Sequence, residues 1–195
     1  MKKLNYIKKA VTLVIVIVFI LNYAQGQTTG LSGTGANTQS AGTLGTNNTN
    51  LGSNAGTGIT AGGTENTCIG KDAGKTISTS SDNICIGFEA GKVNTAGGNS
   101  FMGSGAGVSN TTGTGNTFTG YQSGKLSDGG SNNSFLGYQS GYNNVQHTYG
   151  GHDNSFIGYQ SGYSSGNGDA EGVSVENTFV GSLSGYTNSP VGPKL

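Results

Sequence analysis

Charge is scarce in this chain: 9 Lys and Arg against 9 Asp and Glu make up only 9% of its 195 residues and leave no net charge. Beyond Lys2, Lys3, Lys8 and Lys9 there is no basic cluster, so the electrostatic attraction that dominates nucleic-acid binding is missing and no nucleic-acid partner is expected. Apolar residues are also few, 32% of the chain, and a good part of them lies in the first 25 positions. Little is left for a conventional core. The two cysteines form no C-x-x-C and have no histidine beside them, which gives no footing for a metal or redox centre. The longest apolar run, 10–21, falls short of the roughly 20 residues that span a bilayer.

What fills the chain instead is Gly, 38 residues of it, with Asn, Ser and Thr. These residues recur in register. The segments N-T-F-T-G-Y-Q-S-G, N-S-F-L-G-Y-Q-S-G and N-S-F-I-G-Y-Q-S-G are copies of one nine-residue core, N-[ST]-x-[apolar]-G-x-x-[AS]-G. Eight copies begin at Asn48, Asn66, Asn83, Asn99, Asn116, Asn133, Asn154 and Asn177, at steps of 16 to 23 residues, and only Ile84 and Thr119 depart from the pattern. A short fixed period of this kind belongs to arrays in which each unit buries its apolar face against its neighbours. Two Gly in every nine residues and no 3.6-residue apolar period exclude helices. A strand of about four residues, Gly corners and a Gly/Asn/Ser turn describe one coil of an all-β parallel β-solenoid, a β-roll or β-helix of about eight coils.

Four segments follow. Lysines, the apolar run and Ala24-Gln25-Gly26 give 1–26 the three parts of a signal peptide, with cleavage expected before Gln27 and no Cys there for a lipid anchor. Residues 27–47 read as a Gly/Thr/Asn-rich linker or irregular cap, 48–186 as the solenoid and 187–195 as a C-terminal tail. The protein is expected to be secreted or displayed at the cell surface.

Within each unit the Asn at position one should stack coil on coil as an amide ladder. Position three becomes Phe101, Phe118, Phe135, Phe156 and Phe179, and position four is mostly aliphatic. Successive strand residues point to opposite faces, so two adjacent apolar columns call for cover on both sides. An identical chain is the simplest supplier, and a homotrimer or other parallel oligomer closed on the Phe column is the expectation; the alternative is an exposed aromatic ladder on a monomer.

Cys68 and Cys85 hold position three in adjacent units and should be stacked neighbours, either as a disulfide between coils or as buried small residues standing in for Phe. Asp72 and Glu89 are equivalent carboxylates, the pairing that glycoside hydrolysis uses, yet lysines surround them and no cleft is marked. His147, His152 and Asp153 lie in a longer spacer and read as a solvated loop. The long spacers, 143–153 and 164–176, mark the edge where a ligand would be sought. Tyr121, Tyr138, Tyr159, Tyr142 and Tyr163 form a candidate ligand surface in the C-terminal half. The Asp that a calcium-binding repeat needs in each unit is absent, and no cofactor is implied.

The units N-S-F-L-G-Y-Q-S-G and N-S-F-I-G-Y-Q-S-G resemble repeats of bacterial surface and tail-fibre-like proteins, related to the left-handed parallel β-roll heads of trimeric autotransporter adhesins. The resemblance covers about 48–186 and implies a trimeric solenoid that works by adhesion. Such adhesins continue into a stalk and membrane barrel, and many tail-fibre relatives end in a self-cleaving chaperone domain. Neither follows here, so a secreted protein or a subunit of a larger filament is the form expected. The sequence reads as a non-enzymatic structural or adhesive element that self-associates as a homotrimer or filament, with a host-surface or polysaccharide ligand. Its rivals are a monomeric carbohydrate- or ice-binding solenoid and a polysaccharide-cleaving β-helix enzyme.

Overall fold

The computed structural model describes residues 45–144, 151–165 and 175–187. The signal-peptide assignment falls outside them, as do His147 and all of the tail but Thr187, and the linker is described only from Gly45. Eight three-residue strands, β1 (Thr49–Leu51), β2 (Thr67–Ile69), β3 (Ile84–Ile86), β4 (Ser100–Met102), β5 (Thr117–Thr119), β6 (Ser134–Leu136), β7 (Ser155–Ile157) and β8 (Thr178–Val180), follow each other in one parallel sheet in sequence order. Each strand is positions two to four of one repeat, and every pair joins like position to like, as Phe118 to Phe135 and Leu136 to Ile157. The fold is a parallel β-solenoid, one coil per repeat.

Two glycines per unit make the coil possible. At position five, Gly137 has φ 140° and a Cβ on it would lie 2.3 Å from the carbonyl oxygen of Gly158 in the next coil, so glycine backbones stack directly on one another. At position nine, Gly141 has φ 58° and a Cβ would sit 2.4 Å from the Phe135 ring. That glycine leaves the space the ring occupies. Between them, tight turns close with the position-eight N–H donating to the position-five carbonyl, as from Ala73 to Gly70 at 3.3 Å. Position seven also takes a left-handed conformation, with Asp72 at φ 57° and Gln139 at φ 51°, and the residues there are mostly Asn, Asp, Glu and Gln.

The interior of the coils holds positions one, three and eight and, in the first seven, position twelve. Phe101, Phe118, Phe135 and Phe156 are fully buried there, stacked with ring centroids 4.6 to 5.2 Å apart, each contributing roughly 1.5–3 kcal/mol by leaving water. The Phe column is thus neither an exposed ladder nor a surface waiting for a second chain. Its own coil closes around it. The alternation of a strand says that positions three and four face opposite ways but not which way is inward, and the space above the position-nine glycine decides it. Position four faces solvent.

The asparagine ladder is present. The side-chain oxygen of Asn116 accepts from both the backbone N–H and the side-chain amide of Asn133, at 2.9 and 3.1 Å, and Asn133 receives the same pair from Asn154 at 3.0 and 3.1 Å. The amide of Asn116 donates in turn to Gly130 at 2.7 Å. Polar groups that would be costly to bury are satisfied along the stack.

Candidate functional site

The outer face of the strands carries the exposed apolar surface. Position four contributes Leu136, Ile157 and Val180, which are 51%, 44% and 67% exposed, and position six contributes Tyr121, Tyr138 and Tyr159 beside them. In parallel strands of one register these residues form continuous rows. From the fourth coil on, positions two, four and six, in 100–104, 117–121, 134–138, 155–159 and 178–182, include no charged residue. The flank is therefore apolar and hydroxyl-bearing over five consecutive coils.

The tyrosines stand in two ladders. Tyr121, Tyr138 and Tyr159 stack with centroids 5.2 and 5.4 Å apart, and Tyr142, Tyr163 and Tyr186 with 4.9 Å between each pair. Between the ladders runs a row of glutamines, in which Gln139 donates to Gln122 and Gln160 to Gln139, each at 2.8 Å. The ammonium of Lys125 lies 5.8 Å from the Tyr142 ring centre, continuing the second ladder with a cation. Partial burial, with the neighbouring Tyr142 and Tyr186, raises the Tyr163 hydroxyl pKa above the usual tyrosine value. Because the ring faces lie against one another, inner members of each ladder present edges and hydroxyls outward rather than open faces.

Cys68 and Cys85 pair in register and are fully buried as free thiols. A hydrogen bond with Cys68 and then burial push the Cys85 thiol well above its ordinary pKa. They occupy the space that Phe fills further along. Asp72 and Glu89, the carboxylate pair, each meet a lysine of their own coil instead of converging: Lys75 lies 3.1 Å from Asp72 and Lys92 2.7 Å from Glu89. The amide of Asn54, at 2.9 Å, together with Lys75 holds the Asp72 carboxyl below the usual range. His152 accepts the Ser131 N–H on Nδ1 at 3.1 Å and Asp153 accepts from Asn132 at 3.1 Å. These two residues join neighbouring coils. The long spacers are described only in part, without 145–150 and 166–174. Among the described residues no group of three His, Cys, Asp or Glu could hold a metal ion.

Several structural residues escaped the reading of the repeat. Position twelve supplies a second set of buried amides, with Asn110 donating to Asn94 at 2.8 Å, and position eight supplies Ser140 and Ser161, whose hydroxyls donate to the carbonyls of Phe156 and Phe179 at 3.0 and 3.1 Å. The switch from Ala to Ser at position eight was visible in the sequence, but its meaning depends on that position facing inward.

No protein-family model, curated protein or solved structure matches this chain. The likeness to adhesin heads rests on the repeat motif alone, whereas the parallel β-solenoid rests on the strand order and register.

Proposed function

We propose that the chain is a non-catalytic structural and adhesive element, exported from the cytoplasm and acting through the flank formed by positions four and six. The observation that carries this reading is the uncharged flank over coils four to eight, with Met102, Leu136, Ile157, Val180 and Tyr121, Tyr138 and Tyr159 exposed along it. A contiguous exposed apolar patch usually marks an interaction surface. The regular interior fits a scaffold role: the amide ladder runs through the stack, phenyl rings fill the coils from the fourth on, and the outward columns hold a fixed spacing that a partner can read. The leader-like start supports export, and the resemblance to adhesin repeats supports surface display.

Binding of the full chain to whole cells and to immobilised polysaccharides tests the reading. The variant carrying Leu136→Ser, Tyr138→Ser and Ile157→Ser alters only exposed side chains and is expected to keep the fold while losing at least about tenfold in retention, the equivalent of about 1.4 kcal/mol. Undiminished retention would exclude the flank. A carbohydrate ligand is the second reading, favoured by the two tyrosine hydroxyl rows with the glutamine row between them. With ring faces covered, it would bind through hydroxyl and amide groups rather than by stacking. Replacement of Tyr121, Tyr138 and Tyr159 by Phe then removes sugar binding but leaves apolar adhesion intact.

A further inference from the structure

The two tyrosine ladders run along the axis of the coils with the glutamine row between them, and their rings recur at 4.9 to 5.4 Å, one per coil. Tyr121, Tyr138 and Tyr159 are half-exposed, and none of the six hydroxyls makes a hydrogen bond among the described residues. Gln139 donates one amide hydrogen to Gln122 and accepts one from Gln160, so its second amide hydrogen and second carbonyl lone pair remain. Beyond partial burial and its ladder neighbours Tyr142 and Tyr186, Tyr138 also raises the Tyr163 hydroxyl pKa, which puts the two hydroxyl rows within electrostatic reach of each other.

We infer that the two ladders bind an uncharged, extended β-1,4-linked glycan laid along the axis of the coils, one sugar to each coil. The inference rests on the carbohydrate reading above and names its ligand class. Repeat, symmetry and charge select that class. An extended β-1,4-linked chain advances by close to one coil spacing per sugar, whereas an α-1,4-linked chain of the same sugars winds into a helix and falls out of step. Successive sugars of the β-1,4 chain are turned over, so both edges of the ribbon carry hydroxyls and the two ladders meet them at every coil. Among positions six, seven and ten of coils five to eight only Lys125 is charged, so an anionic chain would find one cation and none opposite its remaining sugars.

A hydroxyl contact replaces one with water and contributes little alone. Once one sugar is seated, the next is held at high effective concentration, and affinity accumulates while step and spacing agree. The row of neutral groups stops toward the N-terminus, where the second and third coils carry Lys71, Asp72 and Lys75, and Phe88, Glu89 and Lys92, at the same positions.

Calorimetric titration of the full chain with cellohexaose and with maltohexaose, which differ only in linkage, tests it. Cellohexaose is expected to bind at least about tenfold tighter. Within the cello-oligosaccharides, affinity should rise from two sugars to four and then level, because the ladders together span the fifth to the eighth coil. Tyr138→Phe with Tyr163→Phe removes the central hydroxyl of each ladder, keeps both rings, and should weaken cellohexaose at least about tenfold. Phe88→Ser, on the third coil and outside the ladders, should leave binding unchanged. Maltohexaose bound as tightly as cellohexaose, with both weakened in the tyrosine variant, would keep the carbohydrate reading and overturn the alignment. Cellohexaose binding undiminished in that variant, or absent from the wild-type chain, would overturn the inference outright. Retention of the tyrosine variant on cells reports on the apolar flank alone.

Discussion

The second coil fills the same interior as the fifth and seventh by a different division of volume. In the second coil position three is the small Cys68 and position twelve the large Ile77; in the fifth, position three is Phe118 and position twelve the small Ser127, and all four are buried. In these coils a large residue at one of the two positions goes with a small one at the other, which keeps the packed volume similar. Position eight changes with it, from Ala73 and Ala90 to Ser123, Ser140 and Ser161. The third coil, with Cys85, Ala90 and Asn94, and the fourth, with Phe101, Ala106 and Asn110, differ at position three alone, so what every coil shares is its position-one asparagine rather than any one apolar residue.

The largest expected contrast between the halves is the loss of a position-three side chain. Phe135→Ala should cost about 3–5 kcal/mol, while Cys85→Ala should cost only about 1 kcal/mol. Urea unfolding of the two variants measures both, and equal losses would break the comparison. The asparagine column should show no contrast. Asn116→Ala and Asn83→Ala each leave a buried backbone N–H, that of Asn133 or Asn99, without its acceptor, at a cost of about 1–3 kcal/mol for each group left unpaired. A loss confined to one half would show that the amides are not equivalent. The finest test is exchange of volume. Cys68→Phe should overpack the second coil against Ile77 by about 1–3 kcal/mol. Adding Ile77→Asn, which recreates the Phe, Ala and Asn interior of the fourth coil (Phe101, Ala106 and Asn110), should recover most of it, read as a coupling energy in the same unfolding measurement.

The repeat made much of this legible. Every strand falls on positions two to four of a unit read from Asn48 to Asn177, and the asparagine ladder and the adjacency of Cys68 to Cys85 follow from the register alone. The inward face did not follow, because alternation is symmetric until something distinguishes inside from outside. Here that is the room over Gly141 and its equivalents, a three-dimensional fact. The left-handed position seven was likewise hidden: the lysines around Asp72 and Glu89 marked them as surface charges in the sequence, but that each sits in a left-handed turn against the lysine three residues on is a three-dimensional fact. The glutamine row was missed because Gln122, Gln139 and Gln160 meet only once the coils stack.

The claim on which the rest depends is that a single chain closes around its own phenylalanines. Amide hydrogen exchange on the full chain, at a dilution where sedimentation shows single chains, tests it directly. Slow exchange at the amides that join coil to coil, those of Ser100, Thr117, Ser134 and Ser155 among them, is the expected result. Uniformly fast exchange at these positions in the single chain, slowed only when chains associate, would mean that the Phe column needs a second chain to cover it.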